Sequence, residues 1–179
     1  MEKATFAGGC FWCVEAVFKR LRGVIKAQSG YAGQGHRPTY ELVSTGTTPF
    51  AEAVQVEFDP AEISYETLLD VFWSAHDPTT LNQQGADIGP QYRSAIFYHN
   101  DAQKEAALKS RAALEKSGKY KNPIVTVVEP LTNFYSAEER HDDYYDRNRS
   151  QGYCRLVIDP KIHKLYKDFK DKLKNPEEE

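Results

Sequence analysis

This chain of 179 residues lacks a large excess of charge of either sign, a long apolar run and an even number of cysteines. Its 23 basic and 26 acidic side chains give a formal net charge of −3, which excludes the basic field on which nucleic-acid binding depends. No apolar stretch approaches the roughly 18 residues that a membrane-spanning helix needs. The first residues, MEKATFAGG, lack the apolar segment of a secretory signal. We therefore expect a cytoplasmic protein that binds neither nucleic acid nor membranes.

Cysteine is too scarce for a structural disulfide framework. The chain has three thiols, Cys10, Cys13 and Cys154, whereas small disulfide-stabilised domains carry more cysteines and in even number. A structural zinc site needs four ligands, commonly two Cys-x-x-Cys pairs or one pair with two closely spaced histidines. With one pair and five scattered histidines, a zinc-stabilised binding module is the weakest interpretation, and no metal is expected.

The order of predicted elements indicates the fold class. Hydrophobic residues form 40% of the chain and charged residues 27%, as in ordinary globular domains. Strand and helix periodicities alternate, which predicts an α/β or α+β sandwich with one sheet covered by helices. From about residue 131 we expect a C-terminal helical and coil extension wrapped over the domain. The predicted strands are 3–8, 23–33, 51–58, 91–99 and 123–130; the predicted helices are 10–21, 65–76 (capped by Ser64), 102–117 (capped by Asn100) and an amphipathic one carrying Ile162, Leu165, Phe169 and Leu173.

Cys10 is the first candidate for chemistry. It follows a predicted strand and two glycines and begins a predicted helix. Free backbone N–H groups and the positive end of the helix dipole should therefore surround its sulfur. That environment favours the thiolate, which is the nucleophilic form. The alternative is a small buried thiol without a reactive role.

The residues between Cys10 and Cys13 bear on a second interpretation of this motif. Cys-x-x-Cys at a helix start supports thiol–disulfide exchange, as in a thioredoxin-like dithiol. The intervening Phe11 and Trp12 are bulky and apolar, which favours the wall of a hydrophobic pocket. Core packing is the other interpretation of these two rings.

Two acidic residues receive opposite predictions. Strand alternation places Glu52 on the same face as Val54 and Val56. A carboxyl on an apolar face is costly to ionise, so its pKa should rise and leave it available as a proton donor. If the strand end projects from the core, Glu52 is simply solvated. Glu15 lies four residues before Lys19, and a surface ion pair between them explains it adequately.

Cys154 lies in a glycine-containing segment, SQGYCRLV, far in sequence from Cys10. A thiol in such a segment is suited to attack a sulfenic acid and form a disulfide. If it stood alone, an incidental thiol would be the better interpretation.

The chain resembles the peptide methionine sulfoxide reductases of the A type. The resemblance runs from residue 4 to about residue 157 in six motifs that occur in the same order. They are GGCFWCVE, GYAGQGHRPTYELVSTG, AEAVQVEFDP, FWSAHDPTTLNQQGADIGPQYRSAIF, FYSAEERHDDYY and QGYC. The resemblance implies a two-layer sandwich around a mixed sheet, with 1–157 as the catalytic domain and 158–179 as a C-terminal amphipathic helix and tail.

The resemblance also implies roles for individual residues. Cys10 would attack the sulfur of a methionine-S-sulfoxide, free or in an oxidised protein, and Glu52 would protonate the sulfoxide oxygen. The enzymes of this class act on one sulfoxide epimer. Cys154 would close a disulfide with Cys10, which thioredoxin or another dithiol would reopen. Further implied roles are oxygen binding by Tyr40 and Tyr92, a methyl pocket of Phe11 and Trp12, and acceptance of a substrate backbone N–H by Asp87.

Two positions differ from the usual family pattern. Pro49-Phe50 stand where Gly-His is common, and Cys13 stands where many members carry glycine. Cys13 could resolve Cys10, relay a disulfide from Cys154 or have no role. A Cys10–Cys13 bond within one helical turn should require distortion at the helix start, so Cys154 is expected to act first. Electrons pass through thiols, so no cofactor is implied, and we expect a monomer.

Overall fold

The computed structural model, which describes residues 1–177, contains a six-stranded sheet in the order β7-β6-β1-β3-β2-β8. Neighbouring strands are antiparallel except β6 and β7, which are parallel. The sheet is therefore mixed, as predicted. Strands β4 and β5 form a separate two-stranded hairpin. The strands are β1 (Glu2–Gly8), β2 (Val24–Gly33), β3 (Ala51–Phe58), β4 (Gln83–Gln84), β5 (Asp87–Ile88), β6 (Ser94–Tyr98), β7 (Val127–Pro130) and β8 (Asn133–Ser136).

Helices account for most of the remaining ordered backbone. The predicted N-caps are confirmed, since the Ser64 hydroxyl accepts from the Thr67 N–H at 3.1 Å and the Asn100 side chain accepts from the Gln103 N–H at 2.9 Å. The sequence prediction missed α2, a single short turn. The helices are α1 (Phe11–Phe18), α2 (Tyr40–Ser44), α3 (Tyr65–Ala75), α4 (Asp101–Lys116), α5 (Tyr144–Arg147) and α6 (Asp159–Asp168); 3₁₀ turns cover Pro90–Tyr92, Glu139–His141 and Lys170–Lys172, and a π-helix covers Cys154–Ile158.

The two faces of the sheet bury different kinds of side chain. On the helical face, Phe6 of β1 stacks on Phe18 of α1 and Phe72 of α3, with ring centroids 5.0 and 5.1 Å apart. The other face is lined mainly by alanines, among them Ala51 and Ala53 of β3. Strand alternation therefore directs β3 residues 52, 54 and 56 towards α1, and this arrangement positions the candidate site.

The extension after residue 131 contributes a strand to the sheet, which corrects the expectation that 123–130 is the last one. β8 pairs with the edge of β2, with Gly30 opposite Ser136. A Cβ at Gly30 would lie 2.4 Å from the Phe134 ring and from the Tyr135 carbonyl oxygen. Because Gly30 has no side chain, β8 can approach β2 this closely. With only four residues, β8 is too short for its periodicity to predict a strand.

The C-terminal amphipathic helix is confirmed in part. Ile162 and Leu165 are buried, but α6 ends at Asp168, and Leu173 instead forms an isolated bridge with Leu21. The π-helix runs directly into α6, and the domain division at 157/158 stays a prediction. The last two residues of the predicted tail lie outside the described residues. Within residues 1–177, no helix is both long and apolar enough to cross a membrane.

Glu15 is buried, and the prediction of a surface pair with Lys19 is wrong. Its carboxylate accepts from the Ser29 hydroxyl at 2.6 Å and from the backbone N–H of Asp143 at 2.9 Å. Lys19 instead pairs with Asp143 and Asp146, at 2.6 and 2.7 Å. Burial raises the pKa of Glu15 to about 7, although both hydrogen bonds oppose the shift. Glu15 therefore connects α1 to β2 and to the start of α5.

The raised pKa of Glu15 predicts a pH-dependent stability. The folded protein holds this proton up to a pH of about 7, whereas the ordinary pKa is 4.5. Its contribution to stability is therefore largest below pH 4.5 and falls as the pH rises through this window, by about 3 kcal/mol in all. We expect Glu15→Gln to remove this decline in the free energy of unfolding, measured by urea denaturation across the pH range. Glu105→Gln, on the exposed side of α4, is the control; the same decline in both variants would contradict the assignment.

Candidate functional site

A glycine turn places Cys10 at the start of α1. Gly9 has a positive φ of 96°, and a Cβ there would lie 2.8 Å from the Gln84 side chain, so this position requires glycine. Cys10 follows as the N-cap residue, with φ −58° and ψ 128°. Its carbonyl accepts from the Cys13 N–H at 3.1 Å, and its side chain is 7% exposed. The thiol is therefore almost fully buried at the N-terminal end of the helix.

Glu52 lies on the helical face of β3 and is only 3% exposed. The alternative of a solvated strand end is therefore excluded. Burial raises its pKa well above the usual value, and the negative charge of Asp87 adds to the effect. Burial and the hydrogen bond with Cys13 raise the pKa of Cys10 most, and the charge on Glu52 adds to this effect. Glu52 is therefore a buried carboxyl whose environment favours the protonated form, and its charge acts on the Cys10 thiol.

Two tyrosines share this environment. Tyr40 begins α2 and Tyr92 ends the 3₁₀ turn before β6, and both are half-buried. Burial and the charge on Glu52 raise the pKa of Tyr40 to about 12. The pKa of Tyr92 is raised first by burial and then by Glu52, Asp87 and Cys10. Both phenols therefore stay protonated and can donate hydrogen bonds to an oxygen atom at the site.

The rings that follow Cys10 belong to an aromatic cluster. Phe11 is fully buried, and its ring centroid lies 6.3 Å from that of Tyr40. Trp12 is half-buried and stacks on Tyr144 of α5 at 3.7 Å, nearly parallel. Phe11 thus packs in the core, as the alternative interpretation held, and also lies against the candidate site. The two interpretations of these rings are compatible.

Asp87 and Cys13 are connected through a tyrosine. The Tyr153 hydroxyl donates to Asp87 Oδ2 at 2.6 Å and lies 3.7 Å from Cys13 Sγ. Cys13 is 2% exposed, and Cys154, at the start of the π-helix, is 0% exposed. The structure therefore brings all nine residues singled out from the sequence into one connected region.

Comparison with known proteins assigns the chain to a family. The family described as "Peptide methionine sulfoxide reductase" matches residues 2–173. The chain belongs to the peptide methionine sulfoxide reductase family. A curated relative from Rhodopirellula baltica, named "Peptide methionine sulfoxide reductase MsrA 1", is 54% identical over 97% of this chain and 90% of its own length. The resemblance seen in the sequence motifs is thereby confirmed.

Solved structures agree with this family and with the predicted fold class. Mxr1 from Saccharomyces cerevisiae in its reduced form superposes with a TM-score of 0.77 and 38% identity, covering 86% of this chain and 88% of that one. Mxr1 in complex with Trx2 gives a TM-score of 0.54 at 32% identity, covering 80% and 84%. The mixed sheet covered by helices is thus an architecture of this reductase family.

Several residues of the region were not found by sequence reasoning, and His141 is the most central of them. Trp12 Nε1 donates to His141 Nδ1 at 3.1 Å, and the His141 ring lies 4.4 Å from Tyr40 and 5.2 Å from Phe11. This hydrogen bond leaves the proton of neutral His141 on Nε2, which is buried without a partner among the described residues. The motif FYSAEERHDDYY contains His141, but its spacing alone does not reveal this packing.

Glu138 in the same motif binds the backbone of Tyr40 at the start of α2. Its carboxylate accepts from the Tyr31 hydroxyl at 2.7 Å and from the Tyr40 backbone N–H at 3.1 Å. Tyr31 is paired with Glu52 across β2 and β3. The Glu138 carboxylate therefore fixes the start of α2 relative to β2, whose neighbour β3 carries Glu52. It does so although 98 residues separate Glu138 from Tyr40.

The expectation that the helix start favours the thiolate of Cys10 is not met. Burial raises the pKa of Cys10 well above its usual value, and Cys13 and Glu52 add to the shift. A helix dipole stabilises a charge by only about 0.3–2 kcal/mol, whereas full burial shifts a pKa by up to about 3–5 units. Desolvation therefore dominates. Hydrogen bonding with Cys10 lowers the pKa of Cys13, and the positive charge of Lys161 contributes.

The region offers no arrangement suited to a metal. Within residues 1–177, no group of three or more His, Cys, Asp or Glu side chains is placed to hold an ion. Cys10, Cys13 and Cys154 are free thiols. The chemistry available here is therefore that of a thiol beside a protonated carboxyl and two phenols.

The raised pKa of Cys10 is testable by alkylation. We expect carboxamidomethylation of Cys10, followed by mass spectrometry, to accelerate only at a pH above the ordinary range of thiols. Glu52→Gln should shift this profile to lower pH, because Glu52 becomes charged as the pH rises and that charge disfavours the thiolate. The exposed Glu41→Gln is the matched control and should leave the profile unchanged. Rapid alkylation of the wild-type Cys10 at neutral pH would contradict the assignment.

Proposed function

We propose that this chain reduces methionine-S-sulfoxide, free and in oxidised proteins, to methionine, with Cys10 as the nucleophile. Membership of the family makes the chain an oxidoreductase of the methionine sulfoxide reductase class, and its role is the repair of oxidised methionine. The observation that carries the assignment of residues is the burial of both the Cys10 thiol and the Glu52 carboxyl, which raises the pKa of Glu52 and favours its protonated form. A sulfoxide oxygen leaves readily only once it is protonated, so the reaction requires a thiol and an acid together.

The first step exchanges one oxygen between two sulfur atoms. The Cys10 sulfur attacks the sulfoxide sulfur, and Glu52 supplies a proton to the sulfoxide oxygen. The protonated oxygen moves to the Cys10 sulfur as a hydroxyl, the substrate sulfur–oxygen bond and the transient bond between the two sulfur atoms break, and methionine leaves with Cys10 as a sulfenic acid. The substrate sulfur gains two electrons and Cys10 loses two, and the thiol proton of Cys10 balances the proton drawn from Glu52.

The surrounding side chains orient the substrate. Tyr40 and Tyr92 donate hydrogen bonds to the sulfoxide oxygen, where negative charge develops as the sulfur is attacked. Phe11 and Trp12 provide apolar walls for the S-methyl group, which has no polar atom to recognise. Asp87, oriented by the Tyr153 hydroxyl, accepts a hydrogen bond from the substrate backbone N–H.

Recycling requires a second thiol and an external dithiol. Cys154 or Cys13 condenses with the Cys10 sulfenic acid to form a disulfide and water. Thioredoxin then reduces this disulfide; the complex of Mxr1 with Trx2 supports such a partner. No cofactor is needed, because the thiols carry the electrons. A reducing compartment suits three free thiols, so we propose the cytoplasm, and the monomeric state stays a prediction.

The reaction is tested with a racemic N-blocked methionine sulfoxide and excess dithiol, by chiral separation of the remaining epimers. We expect only the S-epimer to disappear, Cys10→Ser to leave both epimers intact, and Glu52→Gln to slow consumption by roughly 10²–10⁴-fold. A general thiol–disulfide oxidoreductase would instead need only Cys10 and Cys13. Full activity of Glu52→Gln, or no consumption by the folded, reduced protein, would reject the proposal.

The two phenols predict a non-additive pair of substitutions. If Tyr40 and Tyr92 donate to the same oxygen, either one partly compensates for loss of the other. We expect Tyr40→Phe and Tyr92→Phe each to lower kcat/KM by roughly tenfold or less, and the double variant to lower it by roughly 10²–10³-fold. Tyr166→Phe, on the surface of α6, is the control. A double variant no slower than the single ones would contradict a shared role.

A further inference from the structure

We propose that Cys13 is the thiol that attacks the Cys10 sulfenic acid, and that Cys154 then takes over the disulfide from Cys13. This order makes Cys13 a relay between the reacting thiol and the C-terminal extension. It deepens the proposed function and rests on it, because the sulfenic acid is the product of that reaction. It also reverses the order expected from the sequence, in which Cys154 acts first.

The backbone places Cys10 and Cys13 in a geometry suited to direct reaction. Cys10 is the N-cap of α1 and has extended backbone angles, so it lies outside the helix proper. Cys13 is the third helical residue, and its N–H is bonded to the Cys10 carbonyl at 3.1 Å. Side chains at an N-cap position characteristically reach towards the third helical residue. Because Cys10 lies before the first helical residue, its Cα–Cβ direction is not fixed by the helix, and its side chain can turn towards Cys13 without unwinding α1.

The environment of Cys154 points to Cys13 as its neighbour. Cys154 is fully buried in the same apolar cluster as the other two thiols. Its pKa is raised by burial and next by the charge on Cys13. The preceding residue, Tyr153, reaches Cys13 Sγ at 3.7 Å with its hydroxyl. Cys13 therefore adjoins both the Cys10 thiol and the segment that begins at Tyr153.

Packing holds this arrangement in the reduced protein. Trp12 of α1 stacks on Tyr144 at 3.7 Å and meets Tyr153 edge-on at 5.8 Å. Cys154 itself begins the π-helix, a rare element that occurs often at functional sites. The Lys161 charge and the bond with Cys10 lower the pKa of Cys13, and a larger thiolate fraction favours its attack. Cys13 thus lies against both segments that carry the other thiols, three residues after Cys10 and next to Tyr153.

The relay consists of three balanced steps. Cys13 attacks the Cys10 sulfenic acid, the sulfur–oxygen bond breaks, and a Cys10–Cys13 disulfide and water form. Cys154 then attacks the Cys13 sulfur, which breaks that bond, forms a Cys13–Cys154 disulfide and returns Cys10 to the thiol state. An external dithiol such as that of thioredoxin reduces the second disulfide and is itself oxidised.

The test follows disulfides during a single turnover of the reduced full-length protein. One equivalent of N-blocked methionine-S-sulfoxide is added without external reductant, samples are acid-quenched and alkylated, and the disulfides are mapped by mass spectrometry. We expect the Cys10–Cys13 disulfide to form first and the Cys13–Cys154 disulfide to replace it. A Cys10–Cys154 disulfide that forms first in the wild-type protein overturns the proposal.

Variants separate the steps. Cys154→Ser should stop at the Cys10–Cys13 disulfide. Cys13→Ser and Cys13→Ala should both accumulate the Cys10 sulfenic acid, which a 1,3-diketone traps. In both variants the rate of disulfide formation should fall by roughly tenfold or more. Two Cys13 substitutions are used because serine alone could perturb the contact with Tyr153. Disulfide formation at the wild-type rate in either folded variant overturns the relay.

A failure of the relay is distinguishable from a failure of the proposed function. Methionine release by the wild-type protein reports the first step alone, and its absence rejects the function. In that case the order of the thiols is still tested by one equivalent of hydrogen peroxide, which converts the most exposed thiol, Cys10, to a sulfenic acid directly. The same sequence of disulfides is expected, and a direct Cys10–Cys154 disulfide again overturns the relay.

Discussion

Desolvation of the Cys10 thiol and the Glu52 carboxyl is the constraint on which the site depends. Both groups are almost fully buried, and the charge on Glu52 adds to the cost of ionising Cys10. Burial raises the pKa of both groups and so favours the protonated carboxyl and the neutral thiol. A solvated Glu52 would be ionised at neutral pH and could not donate. The buried face of β3 thus carries the acid of the reaction that we propose.

Helix α1 connects this chemistry to the rest of the protein. Its N-terminal end carries Cys10 and Cys13. Glu15 within the helix, and Lys19 and Arg20 just after it, bind the C-terminal extension. That extension brings Tyr144, Tyr153 and Cys154 back against the start of the same helix. The helix therefore positions Cys10 and Cys13 and also packs against the C-terminal extension, which carries Cys154. Tertiary contacts therefore bring the extension to both ends of α1, although the two segments are more than 100 residues apart in the chain.

Local rules predicted much of the fold but little of its long-range pairing. Strand alternation placed Glu52 on the buried face, and the caps at Ser64 and Asn100 were correct because each depends on a few neighbouring residues. Strand β8 and helix α2 were missed, because both are short and are stabilised by distant partners. Glu15 was assigned to the surface by its spacing from Lys19, whereas Ser29 and Asp143 hold it in the interior.

The sequence by itself determined the reactive groups, the elements that carry them and the family to which the chain belongs. Only the tertiary structure decided which of these groups are ionised and which of them meet. Burial outweighs the helix dipole and raises the pKa of Cys10, and Cys13 adjoins the segment that begins at Tyr153 because the extension folds back onto α1. Periodicity and helix capping depend on a few neighbouring residues. The burial of a side chain and the distance between two thiols depend instead on how distant segments pack around them.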